Sequence, residues 1–226
     1  MTRLLALVLA VALAAGASGC TLLRTAESGG EATVASPQPP RYRAPIGPAP
    51  RERMTSSWRP GCPLPLEDLR LVTLTHWGFD REAHRGELVV HKDQARAVRR
   101  VFRVLFRVRF PVERMELVDR YGGDDDRSMA ANNTSAFNCR RVEGSSSWSE
   151  HAYGRAIDIN PIQNPLVDGS RVAPPGGSRY LDRSQRAKGL IRANDRIVRA
   201  FAAIGWGWGG YWTSLKDYQH FSSTGR

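Results

Sequence analysis

SEHAYGRAIDIN, residues 149–160, sets an aspartate between two isoleucines in what reads as a buried strand. Strand interiors are depleted in Asp, and a carboxylate removed from water is costly unless something pairs with it. Over 155–160 the strand period puts Ile157 and Ile159 on one face and Ala156, Asp158 and Asn160 on the other. The isoleucines can then pack a core while Asp158 points into a cleft. His151 stands seven residues earlier, an odd separation that faces it away from Asp158 on a straight strand. Gly154 permits a turn that brings His151 back beside the carboxylate.

A histidine and an aspartate converging on one cleft suit a zinc ion, since imidazole nitrogen and carboxylate oxygen are ordinary Zn²⁺ ligands. A hydrolytic zinc site takes a third protein ligand and keeps its fourth position for water. DYQHF, residues 217–221, supplies His220 as that third ligand. Asp217, three residues before it, is the expected general base.

These residues resemble a known family. Ser149, His151, Gly154, Ala156 and Asp158, followed by Asp217 and His220, match the signature of the D-alanyl-D-alanine carboxypeptidases and L-alanyl-D-glutamate endopeptidases of the VanY type. Those zinc peptidases share a fold with the N-terminal domain of hedgehog. The resemblance runs loosely over 85–226 and closely over 134–221. It implies His151, Asp158 and His220 as zinc ligands and Asp217 as base. The family also carries an arginine on an upstream Ser-Gly-Tyr-Arg-like segment. TSAFNCRRV here makes Arg140 its counterpart, with Arg141 as the fallback, although extra residues precede the arginine. Arg140 would steady the developing oxyanion, while Ser149 and Tyr153 would orient substrate or ligands. The implied reaction is hydrolysis of the peptide stems of peptidoglycan, by zinc-activated water.

Composition and the N-terminus set the compartment. MTR followed by LLALVLAVALAAGA gives a short basic segment and an apolar stretch of signal-peptide length, too short for a confident membrane span. ASGC, ending at Cys20, resembles a bacterial lipobox with Ala17 in the usual leucine position. The expectation is export over 1–20, with a lipid anchor on Cys20 at the outer face of the cytoplasmic membrane or in the wall. Residues 21–58 are rich in Pro, Gly, Ser and Ala and read as a disordered tether, about 35 Å long as a flexible coil. In an oxidising compartment the remaining cysteines, Cys62 and Cys139, are expected to form a disulfide.

Residues 59–226 then suffice for one domain with its own core. LRLVTLTHWGF (69–79), GELVVHKD (86–93) and MELVDRY (115–121) read as strands. Val98, Val101, Phe102, Leu105 and Phe106 repeat at helical spacing over 93–110, with Asp93 as N-cap and arginines off the stripe. A second helix is read over 193–206, and 122–148 is a long polar loop. The expected fold is α+β, a single hedgehog-like domain with one mostly antiparallel sheet flanked by helices.

The 33 Lys and Arg against 22 Asp and Glu give a formal charge of +11. No helix-turn-helix, zinc-finger or RNP pattern accompanies that charge, so a nucleic-acid partner is not expected. A solvated basic face, or an anionic wall or lipid surface, accounts for it. His76, His84 and His91 are assigned to structure or solvent, and Asp124–Asp126 to a solvated turn rather than a calcium loop. Trp206, Trp208 and Trp212 are assigned to core packing. The competing function is a non-catalytic, zinc-stabilised wall-binding module. The expected partners are peptidoglycan stem peptides and, through the anchor, the membrane; the protein is expected to be a monomer.

Overall fold

Alternation after Leu69 produces strand geometry in which Val72, Leu74 and His76 turn inward and the intervening residues stay half-buried. Residues 39–226 are described by a computed structural model of the chain. The expected signal segment, Cys20 and the first part of the expected tether lie outside the described residues. In chain order the elements are β1 (Ile46–Pro48), β2 (Leu69–Trp77), β3 (Ala83–His91), α1 (Ala95–Arg107), β4 (Arg114–Met115), α2 (Asp125–Ala130) and β5 (Asn133–Thr134). There follow β6 (Ala156–Asp158), β7 (Leu166–Asp168), β8 (Arg171–Ala173), α3 (Arg196–Ala202), β9 (Gly207–Trp208), β10 (Lys216–Asp217) and β11 (His220–Ser222).

The architecture is α+β. The antiparallel strands divide among small sheets ordered β1-β2-β3, β10-β7-β8 and β6-β11-β9, and β4 and β5 pair in parallel. The single sheet expected from the sequence is thus several short ones. Val98, Val101, Phe102 and Leu105 of α1 pack on Val72, Leu74, Leu88 and Val90. The same core takes Ile157 and Ile159 from the strand around Asp158, and Phe201 of α3 stacks on Phe221 of β11 with ring centroids 4.0 Å apart. A leucine- or phenylalanine-sized side chain removed from such a core costs about 2–5 kcal/mol.

Several expectations are corrected. The tether does not run to residue 58. Ile46–Pro48 forms the outer strand of its sheet, with Ile46 opposite Val72, and Met54 is buried. A short edge strand tolerates proline, so the Pro-rich composition concealed it. Val118–Tyr121 is a 3₁₀ turn rather than the end of a strand. Gln94, not Asp93, is the N-cap of α1. The second helix begins only at Arg196, where the Asp195 carboxylate accepts from the Ile197 and Val198 amides. The loop at 122–148 contains α2, whose first turn is capped by Asp124.

Cys62 and Cys139 are bonded, 77 residues apart in sequence. Closing a loop of that length is worth about 4 kcal/mol on the chain-entropy argument. Among the described residues no helix is long and apolar enough to cross a membrane.

Candidate metal centre

Local chain geometry explains why His151 meets Asp158. Ser149 caps a 3₁₀ turn over Glu150–Tyr153, its hydroxyl oxygen accepting from the His151 amide at 3.3 Å. Gly154 ends the turn at φ +61°, a left-handed conformation that favours glycine. A Cβ at Gly154 would come within 2.6 Å of the His91 backbone nitrogen. That nitrogen donates to the Gly154 carbonyl at 2.9 Å, so the reversal is fixed against β3. The chain then enters β6, where Asp158 emerges 3 % exposed.

Strand pairing brings the third residue. β11 runs antiparallel to β6 with His220 directly opposite Asp158. Directly paired residues project on the same face about 5 Å apart, and a one-residue slip would send His220 to the other side. Phe221, next along, turns into the core and holds that register.

The donor atoms converge. Nε2 of His151 lies 3.1 Å from Oδ2 of Asp158. Nδ1 of His220 lies 3.0 Å from Oδ1 of Asp158 and 3.3 Å from Nε2 of His151. The opposite ring nitrogens face main-chain oxygens: His151 Nδ1 that of Ala136, and His220 Nε2 that of Arg226 at 3.0 Å. Such an oxygen only accepts, so whenever the ring is neutral each of these nitrogens carries its hydrogen. The lone pairs of His151 Nε2 and His220 Nδ1 are thereby aimed at one point together with the carboxylate. Ligating histidines are characteristically oriented in this way. Two imidazole nitrogens and one carboxylate oxygen, all within 4.8 Å of one another and buried, fit a divalent cation.

The electrostatics are those of a closely coupled cluster. Burial raises the Asp158 carboxyl, but His151 and His220 outweigh it and hold Asp158 well below the usual carboxylate range. Burial lowers His220, yet its hydrogen bond and charge interaction with Asp158 push it up to about 9. Asp217 behaves oppositely. Burial, reinforced by the negative charge of Asp158, pushes it up to about 7. Its Oδ1 is buried without a hydrogen-bond partner, as is Oε1 of Gln219.

All four residues line a cavity of 740 Å³. Ser149, Arg140 and Arg141 line it too, while Tyr153 is not among its lining residues. Tyr153, expected to orient substrate or ligands, closes the 3₁₀ turn that carries His151. Arg140 ion-pairs with Asp125 at 2.8 Å, and its Nε is buried without a partner. Arg141 stacks on Trp148 at 3.8 Å. Asp124–Asp126, assigned to a solvated turn, form part of the cavity wall. Trp206 and Trp208 pack in the core as expected, whereas Trp212 lines the cavity. Gln219 was missed; its position between Asp217 and His220 in the second motif was the available signal.

Residues 143–223 match the family model of the D-alanyl-D-alanine carboxypeptidases. The matched span contains His151, Asp158, Asp217 and His220, and supports a peptidase of the M15 family. Arg140 falls just outside it. Neither curated proteins nor solved structures gave a match to the chain.

Proposed function

We propose that the protein is an exported, zinc-dependent peptidase of VanY type that hydrolyses the peptide stems of peptidoglycan. The observation that carries this reading is Asp217: a buried carboxyl with a free oxygen, lining the same open cavity as the His151–Asp158–His220 cluster. A purely structural metal site has no use for such a group.

Bound by His151, Asp158 and His220, a zinc ion supplies positive charge that acidifies water and polarises a peptide carbonyl. Asp217 takes the proton of the attacking water and passes it to the leaving amine. In the metal-free fold burial and the charge of Asp158 raise its carboxyl, which makes it a better proton acceptor than an ordinary carboxylate. His151 and His220 keep their donor nitrogens aimed through the main-chain oxygens of Ala136 and Arg226. Arg140 brings a positive charge to the cavity, steadied by Asp125, for the developing oxyanion or a substrate carboxylate. The 740 Å³ cavity accommodates several peptide residues. Residues 1–20, with Cys20, are proposed to deliver the protein to the outer face of the cytoplasmic membrane or the wall.

Mass spectrometry of purified muropeptides incubated with the zinc-loaded protein tests this reading. The expected result is loss of a stem residue or scission within the stem, abolished by chelation and by Asp217→Ala. Uncut muropeptides, with zinc bound and the protein retained on the wall, would identify a binding module instead.

A further inference from the structure

A second concavity, of 610 Å³, shares no lining residue with the metal-centre cavity. It begins where α1 ends, at Val108–Pro111, and is closed by Trp77–Phe79 and by Lys188–Ile197. Its floor is apolar, built from Trp77, Phe79, Phe110 and Leu190. Its rim is cationic: Arg81, Arg109, Lys188, Arg192 and Arg196 are all exposed around it.

None of these five cations forms an ion pair among the described residues. Asp195 is the one acid lining the groove, and its oxygens are committed. Oδ1 accepts from the Ile197 and Val198 amides and Oδ2 from the Arg192 amide. Arg109 lies over Trp77 at 4.8 Å, and Lys188 donates to the Phe79 carbonyl at 3.1 Å, so both are held at the groove. Arg81 and Arg109 occupy left-handed backbone at φ +72° and +53°, where glycine would sit without strain. The fold thus collects five like charges around one groove, against their mutual repulsion and with Asp195 the one carboxylate among the lining residues. An anionic occupant relieves that repulsion.

We infer that this groove holds a segment of an anionic polymer, a chain of phosphodiester units. Shape favours a chain over a membrane surface. Lipid binding needs apolar side chains that protrude, whereas the groove's are recessed. The exposed large apolar residues among those described, Val142, Leu181 and Tyr211, lie elsewhere. Length favours a polymer over a small ion. The outward arginines of α1, Arg103 and Arg107 among them, lead directly to the groove's edge.

The test measures binding of the full chain to poly(glycerol phosphate) by calorimetry, at low and at physiological salt. The variant Arg81→Gln/Arg192→Gln/Arg196→Gln removes charge from the rim. Arg59→Gln/Arg85→Gln/Arg114→Gln removes the same charge from exposed positions outside the groove. The expected result is salt-weakened binding that drops at least about tenfold in the rim variant and much less in the matched control. Circular dichroism verifies that both variants are folded. Equal losses in the two variants would reduce the effect to net charge and overturn the site. So would absence of binding by the unmodified chain. Preferential binding to vesicles of phosphatidylglycerol and phosphatidylcholine, at matched phosphate, would assign the surface to the membrane instead. No arm depends on hydrolysis, so the outcome stands apart from the peptidase reading.

Discussion

Nε2 of His220 donates to the main-chain oxygen of Arg226, 3.0 Å away, and that oxygen also accepts from the Ser222 hydroxyl at 2.6 Å. The segment bearing it is held down locally. Trp212 Nε1 donates to the Gly225 carbonyl at 2.6 Å, and a Cβ on Gly207 would strike Gly225 Cα at the same distance. Residues 223–226 therefore orient one ring of the candidate metal centre without offering a ligand themselves. Removing them frees the His220 ring to rotate and change tautomer. We expect zinc affinity to fall by about 10- to 100-fold, measured by competition with a chromogenic chelator. Unchanged affinity would show that the register of β11 alone positions His220.

Metal binding should release a proton. His220 is raised from 6.5 to about 9 in the metal-free fold by its pairing with Asp158, yet its Nδ1 must be unprotonated to ligate. Because the folded value lies above the unfolded one, the protonated pair stabilises the metal-free protein fully below about pH 6.5. That contribution fades as pH rises to about 9. Zinc affinity should accordingly climb toward pH 9. Titration calorimetry at pH 7 in buffers of different ionisation enthalpy should find about one proton released per ion.

Asp217→Asn separates chemistry from binding. The substitution removes the proton acceptor while keeping the shape, so hydrolysis should fall by about 10²- to 10⁴-fold, with zinc affinity little changed. Stability should move the other way. A carboxyl raised from 3.8 to about 7 destabilises the fold once ionised. That penalty is absent below about pH 3.8, grows through the interval and is complete above about 7. The metal-free variant should therefore resist denaturant better than the unmodified protein at pH 8 and no better at pH 4.

Gly154→Ala tests how the turn presents His151. Left-handed backbone at a residue other than glycine costs on the order of 1–3 kcal/mol, and here the new methyl also meets the backbone nitrogen of His91 at 2.6 Å. We expect a lowered denaturation midpoint together with weakened zinc binding, since His151 must shift to relieve the contact. Full zinc affinity in a destabilised variant would mean that the turn is needed for folding only.

The α+β class and the polar members of the site were legible because they rest on short-range signals. Alternation marked β2, helical spacing marked α1, and a polar residue between core isoleucines marked Asp158. The small residue counts of β1, β4, β9 and β10 carry no periodicity, and their backbone pairing depends on distant partners. In the Pro-rich segment before residue 58, β1 is likewise defined only by its pairing with β2.

By itself the sequence determined which residue types recur at ligand spacing and that Asp158 needs partners, since both follow from local period and the cost of burying charge. Only the tertiary structure decided that His220 stands opposite Asp158, that Arg226 and Ala136 aim the two imidazoles, and that five cations share a groove. Those relations join segments tens of residues apart. They are set by strand register and core packing, which no local pattern encodes.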